Sequence, residues 1–313
     1  MIKIGLVDID VSHPLTFTKK MLKNGIPMKY AYVCNKGFRG KDQVESFAKK
    51  YDIQIVDEIK DMVEHVDVGF IQSCNWEKHI PYAMPFIEKG VPVFLDKPMV
   101  GSMEDIRKIR QLAASGAKIL GSSSVRYAYE IRDFLAKPLE ERGEILNIFG
   151  TSGVDEFNYG IHVVEALSAI AGAKGKSCKF AGRSKKVDNM ECETFFITFE
   201  NGITATYNTF LNHWHPFDIT IMTTKGTYHF EINVDNIYIS LLKNLYEELA
   251  NHKNTIADVE AITDSCMIML AGKKSRDTGC GEVFLRDLND ERFDGYAFEE
   301  EYAAHDNKMY LNL

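Results

Sequence analysis

No apolar run in this 313-residue chain approaches the ~20 residues that a membrane span requires. The opening stretch Met1-Ile2-Lys3-Ile4-Gly5-Leu6-Val7 is too short to serve as a secretory leader. Basic charge is not in excess: 37 Lys and Arg stand against 45 Asp and Glu, a net charge of −8. With no Lys/Arg cluster either, the chain lacks the basic surface that a phosphate backbone demands. The six cysteines (Cys34, Cys74, Cys178, Cys192, Cys266 and Cys280) show no paired spacing of the zinc-knuckle or redox kind. These absences exclude membrane, secreted disulfide-rich and nucleic-acid-binding classes. The expectation is a cytoplasmic protein with reduced thiols, no metal, and a small molecule as its partner. Internal repeats and low-complexity linkers are also missing.

Apolar residues make up 45% and charged residues 26%, ordinary for a globular chain, and the length suits about two domains at ~150 residues each. The first 121 residues alternate short apolar runs with helical patterns. Strands are expected at Ile2–Val7, Lys29–Cys34, Ile53–Val56, Val66–Gln72, Val91–Leu95 and Ala117–Leu120. Helices fall between them, one opened by a Ser102/Asp105 capping box and another stopped by Gly90. That alternation predicts an α/β, Rossmann-type doubly wound parallel sheet over residues 1–121. Beyond Gly121 the texture changes. Tyr127–Glu141 and Tyr159–Ile170 read as helices, and alternating β-rich runs fill Lys179–Glu231, with turns at Asn201-Gly202 and Lys225-Gly226. Residues 122–313 are therefore expected to form an α+β domain on a mostly antiparallel sheet.

A dinucleotide pyrophosphate sits on the first βα turn of a doubly wound sheet, where the G-x-G-x-x-G fingerprint lets the backbone approach it. Here the turn reads Asp8-Ile9-Asp10-Val11-Ser12-His13, with Asp8, Asp10 and His13 in the three glycine places. Two carboxylates there would crowd and repel a pyrophosphate. Asp10 or Ser12 could instead cap the helix that begins near Pro14, or contact a ligand directly. At the second turn Asn35, Lys36 and Arg39 precede any carboxylate, which leans towards NADP over NAD. The fourth strand ends at Ser73-Cys74-Asn75, followed by His79, and the fifth at Asp96-Lys97-Pro98, so these side chains could meet in the crevice at the sheet's carboxyl edge. His162 and Glu165 share one helical face, and a lysine with a histidine can move the proton of an alcohol or ketone. His213 and His215, two apart on a strand, lack a convincing third metal ligand and suit pocket lining or a subunit contact better.

The order of Asp96-Lys97-Pro98, Arg126, the Gly160-Ile161-His162 helix start and a β-rich second domain resembles the glucose-fructose oxidoreductase/inositol dehydrogenase/rhizopine-catabolism (Gfo/Idh/MocA) family over nearly the whole chain. Members carry Glu-Lys-Pro where this chain has Asp96-Lys97-Pro98. They carry Asp-x-Gly-x-His-x-x-Asp where it has Asn158-Tyr159-Gly160-Ile161-His162-Val163-Val164-Glu165. The resemblance implies an NAD(P)-dependent oxidoreductase acting on a sugar, cyclitol or polyol, with Lys97 orienting or protonating the substrate oxygen and His162 as acid/base. Asn158 replaces an acidic partner. Candidate cofactor contacts are Asp10, Ser12, His13, Asn35, Arg39, Ser73, Asn75, His79, Asp96 and Lys97. Candidate substrate contacts are Lys97, Arg126, Tyr159, His162 and Glu165. The resemblance further implies a closing helix from Asp294-Gly295-Tyr296 to Tyr302 packed on the first domain, and a homodimer or homotetramer joined through the C-terminal sheet. The missing glycines leave two other classes open: a sugar-binding or regulatory protein on the same scaffold, and a non-redox lyase or epimerase.

Overall fold

The structure, a computed structural model, describes residues 1–305 and 310. Short runs of Ile, Val, Leu and Phe form the first sheet: β1 (Ile2–Val7), β2 (Met28–Cys34), β3 (Gln54–Ile55), β4 (Val68–Ile71), β5 (Val93–Leu95) and β6 (Ile119–Gly121). The strand order is β3-β2-β1-β4-β5-β6 and every pairing is parallel. Each residue of β4 is buried, as a strand covered on both faces should be. The crossovers are α1 (His13–Lys23), α2 (Lys41–Tyr51), α3 (Lys60–Val63), α4 (His79–Glu88) and α5 (Met103–Ala114). The expected capping box is present: Ser102 Oγ accepts from Asp105 N at 3.0 Å and donates to the Asp105 carboxylate at 2.8 Å. Reversal of strand order between β1 and β4 opens a crevice at their carboxyl ends, the position where such sheets hold ligands.

The helix expected over Tyr127–Glu141 is broken. A 3-10 turn spans Ser124–Tyr127, and two short helices follow, α6 (Tyr129–Leu135) and α7 (Leu139–Arg142). Pro138 explains the break, because it lacks an N–H and disfavours helical backbone at the residue before it. Next come β7 (Ile145–Val154), α8 (Gly160–Ala171), β8 (Gly175–Arg183), β9 (Glu191–Phe199), β10 (Thr204–Leu211), β11 (Asp218–Thr223) and β12 (Thr227–Glu231). The chain continues through α9 (Val234–Asn251), α10 (Val259–Asp277), β13 (Val283–Phe284) and α11 (Gly295–Ala304). The seven strands run in the order β12-β11-β7-β10-β9-β8-β13, antiparallel except where β7 meets β10. One face of this sheet is covered by α8. Gly150 permits the contact, since a Cβ there would lie 2.4 Å from a Val163 methyl. On the other face Phe149 and Phe196 fall in register across Thr206 and are partly exposed and exposed respectively.

Two elements of the second half lock onto the first. Helix α9 contributes Leu241, Leu242 and Leu245 to the core that contains Phe17 and Met21 of α1. Helix α11 returns to the carboxyl edge of the first sheet, as the sequence led us to expect. Its N-cap Asp294 accepts from Tyr296 N and Ala297 N, and the Trp76 indole donates to Phe293 O at 3.2 Å. The crevice is thereby walled by both halves. Among the described residues no helix is long and apolar enough to cross a membrane, and all six cysteines are free thiols.

Candidate functional site

Lys97, Asn158, Tyr159 and His162 line one cavity between the two halves, together with His13 and Ser12 from the start of α1. Lys97 follows β5, and the peptide to Pro98 is cis. Its ammonium is buried, donates to Asn158 Oδ1 at 2.7 Å and Asn158 O at 3.0 Å, and stands 5.1 Å from the Tyr159 ring centre. Burial pulls the Lys97 pKa down from its ordinary value, and the charges of Asp96 and Asp155 only partly offset this. The acidic partner that Asn158 appeared to have lost is three residues away. Asp155 accepts from Asn158 Nδ2 at 3.3 Å and from Tyr159 N at 3.0 Å, so a carboxyl stands behind the amide that holds Lys97. Sequence reasoning missed Asp155, although its i, i+3 spacing to Asn158 was the available signal.

His162 enters from the first turn of α8. Its Nδ1 pairs with Ser123 Oγ at 2.6 Å, and that oxygen is itself fixed by Val125 N at 3.1 Å. Burial, then the nearby Lys97 charge, holds the imidazole well below its usual pKa, so it is neutral and able to accept a proton. Glu165 was expected to meet substrate, but it is fully buried one turn further on. It takes the Ser122 hydroxyl and Ser123 N, which fastens the loop that orients His162. Arg126 does not reach the cavity either; its guanidinium donates to Glu165 O at 3.1 Å on the far side of α8. His215 stacks on Phe210 at 3.9 Å and His213 is exposed, so the pair converges on nothing.

The residues of the first turn mostly hold one another. Asp8 takes the left-handed backbone a glycine would have adopted, with φ of 64°. Its carboxylate accepts from Lys36 N at 2.6 Å and from the Ser73 hydroxyl, which ties the ends of β1, β2 and β4 together. Ser12 makes no capping bond, contrary to one expectation. Asp10 does not cap α1 either: Oδ2 accepts from Cys74 N at 3.2 Å while Oδ1 is buried with no hydrogen-bond partner among the described residues. Burial, with the neighbouring Asp8 charge, pushes the Asp10 carboxyl up to about 7. Asn35 clasps the turn through Ile9 N and Arg39 O. Arg39 is buried, donates to Asp10 O at 2.7 and 3.2 Å, and lies 5.5 Å from the Tyr310 ring centre; Lys36 pairs with Glu58 at 2.9 Å. The lean towards NADP therefore draws no support from these cations. Asn75 donates to Glu299 of α11 at 3.0 Å, and His79 bridges Met99 O and Ser73 O at 2.9 and 3.0 Å. Asp96 binds His13 Nδ1 at 2.6 Å.

Comparison with known proteins bears on this scaffold. Residues 31–123 match the model of the Gfo/Idh/MocA family, described as an oxidoreductase family with an NAD-binding Rossmann fold. The matched segment is similar to the Rossmann domain of that family. No curated protein matches the sequence. Among solved structures, a probable dehydrogenase from Thermotoga maritima superposes with a TM-score of 0.78 at 12% identity, covering 92% of this chain and 100% of its own. Scyllo-inositol dehydrogenase from Lactobacillus casei, with bound NAD(H) and scyllo-inositol, gives 0.76 at 16% identity over 92% and 100%. Myo-inositol dehydrogenase from the same organism, in complex with NAD(H) and myo-inositol, gives 0.75 at 12% over 91% and 96%. At these identities the likeness is one of fold. The Gfo/Idh/MocA segment begins within β2 and so leaves out the first turn, where this chain departs from the fingerprint.

A dinucleotide would lay its pyrophosphate on the free N–H groups at the start of α1. The Tyr310 hydroxyl takes that place, receiving the Leu15 N–H and donating to Val11 O. Asp10 and Glu299, carboxyl groups both, converge beside it with Cys74. In this conformation the Tyr310 hydroxyl fills the helix terminus on which a pyrophosphate would lie. Calorimetric titration with NADH and NADPH should find weak binding to the full chain and about tenfold tighter binding to Tyr310→Ala, a gain of ~1.4 kcal/mol. Micromolar binding to the full chain, unchanged in the variant, would contradict this arrangement.

Asp10 also links stability to pH. Its unfolded carboxyl ionises near 3.8 and its folded one near 7, so between these values the folded state holds more protons than the unfolded. Its contribution is therefore fully present at low pH and is lost as pH rises through 7. Asp10→Asn removes that dependence. Thermal melts should show the variant gaining on the native protein between pH 5 and pH 8, and an equal difference at both would refute the assignment.

Proposed function

We propose that this protein interconverts a hydroxyl and a carbonyl on a small polyhydroxylated compound (a sugar, cyclitol or other polyol), with NAD or NADP as the redox partner that its family implies. The observation that carries the reading is the shared cavity of Lys97 and His162, approached from different halves of the molecule. Lys97, held by Asn158, gives its proton to the substrate oxygen or stabilises negative charge there. His162, kept neutral by burial, takes up the hydroxyl proton, and Ser123 fixes its ring. Asp155 behind Asn158 keeps the lysine oriented as its charge changes. Tyr159 offers a ring face against which the C–H face of a sugar or cyclitol ring packs. Redox chemistry would need Tyr310 to leave the start of α1, so the closed first turn specifically favours a second, redox-neutral use of the same groups.

The test is turnover of a polyol and keto-sugar panel by the purified chain with each dinucleotide. Lys97→Met and His162→Ala should each lower kcat by ~10²–10⁴ while the melting temperature stays within a few degrees. Full activity in both variants would remove the acid/base assignment.

A further inference from the structure

His13 occupies the last glycine place of the fingerprint, yet it makes none of the contacts that would bind a phosphate. It is buried, and its Nδ1 lies 2.6 Å from Asp96 Oδ2. That carboxylate is positioned independently of the histidine. Lys97 N donates to Oδ1 at 2.7 Å, and Gln72 Nε2 donates to Oδ2 at 3.2 Å, with Tyr30 in turn donating to Gln72 at 2.7 Å. The ring plane is set by Phe17, stacked at 5.3 Å and 8°, and by the edge of Tyr238, also at 5.3 Å. Burial alone would raise the Asp96 carboxyl, but the hydrogen bonds from His13 Nδ1 and Lys97 N, together with the Lys97 charge, outweigh it and keep the group below the usual carboxylate range, hence ionised. With Nδ1 committed, Nε2 makes no hydrogen bond to any described residue, and the ring borders the cavity that holds Lys97 and His162.

A base whose second nitrogen is oriented by a buried carboxylate is the arrangement that activates imidazole in many unrelated enzymes. Helix α1 brings it to the lining of the cavity, while His162 comes from α8. A ketone held in this cavity with its oxygen on Lys97 has His13 among the residues around it.

We propose that His13, positioned by Asp96, is a catalytic base that removes the proton from the carbon next to the carbonyl of a ketose or keto-cyclitol held at Lys97, giving the protein a redox-neutral, epimerase-type activity. The proposal rests on the reading that Lys97 holds a carbonyl oxygen, but it needs no dinucleotide. The C–H bond breaks and its proton passes to His13 Nε2. The electron pair forms the C=C bond of an enolate, and the carbonyl π pair moves onto the oxygen, where the Lys97 ammonium stabilises it. Return of the proton from His13 restores the ketone; delivery of a proton from water to the opposite face, with His13 releasing its own proton to the hydroxide left behind, inverts the centre. No oxidant or reductant is consumed.

The experiment uses the full chain in D2O without nicotinamide, with 2-keto-myo-inositol, D-fructose and D-tagatose as probes. Proton NMR follows loss of the C–H signal next to the carbonyl. We expect exchange well above the buffer rate with at least one probe. His13→Gln should lower it by ~100-fold or more, and His13→Asn serves equally should Gln disturb folding. Asp96→Asn should lower kcat comparably with KM unchanged, a split that loss of structure would not give. No exchange above buffer with any probe, or exchange indifferent to His13, overturns the inference. Dinucleotide-dependent turnover with no exchange would overturn it while leaving the oxidoreductase reading intact. Exchange without such turnover would do the reverse.

Discussion

One buried carboxylate organises the cavity. Asp96, at the end of β5, binds the imidazole of His13 through one oxygen and the backbone N–H of Lys97 through the other. It therefore fixes two of the groups on which any proton chemistry here depends. An ionised carboxylate with no solvent contact is costly unless it is paired and fully hydrogen-bonded. Gln72 and Tyr30 complete that requirement, which extends the network down to the base of the sheet.

The same logic of mutual satisfaction closes the first turn. A glycine fingerprint leaves N–H groups and space for a phosphate. In this chain Asp8 fills part of that space and is satisfied by Lys36 N and Ser73, while Tyr310 takes the helix terminus. The substitutions in the glycine places are thus compensated within the molecule: Asp8 and Asp10 have acquired partners from the loops that follow β2 and β4. His13 is tied to Asp96. It has one committed nitrogen, and the other borders the cavity.

The architecture was legible because it rests on period and run length. The β1 boundaries read from apolar patterning, Ile2–Val7, coincide with those observed. The Tyr127–Glu141 helix was misread because apolar spacing outweighed Pro138. Lys97, Asn158, Tyr159 and His162 were also legible, through the spacing of their motifs. What could not be read was which polar residues face one another. Glu165 shares a helical face with His162 but turns to Ser122, and Arg39 looks like a surface cation yet lies buried over Tyr310. Asp155 and the Asp96–His13 pair depend on contacts across 3 and 83 residues respectively. Only the latter needed the fold to become visible.

The account stands or falls on what occupies the cavity between α1 and α8. The most direct measurement is a crystal structure of the full chain with 2-keto-myo-inositol bound. The account predicts the carbonyl oxygen within ~3.2 Å of Lys97 Nζ and an adjacent carbon within ~3.5 Å of His13 Nε2. A ligand bound outside this cavity, or one whose carbonyl points away from Lys97, would contradict it.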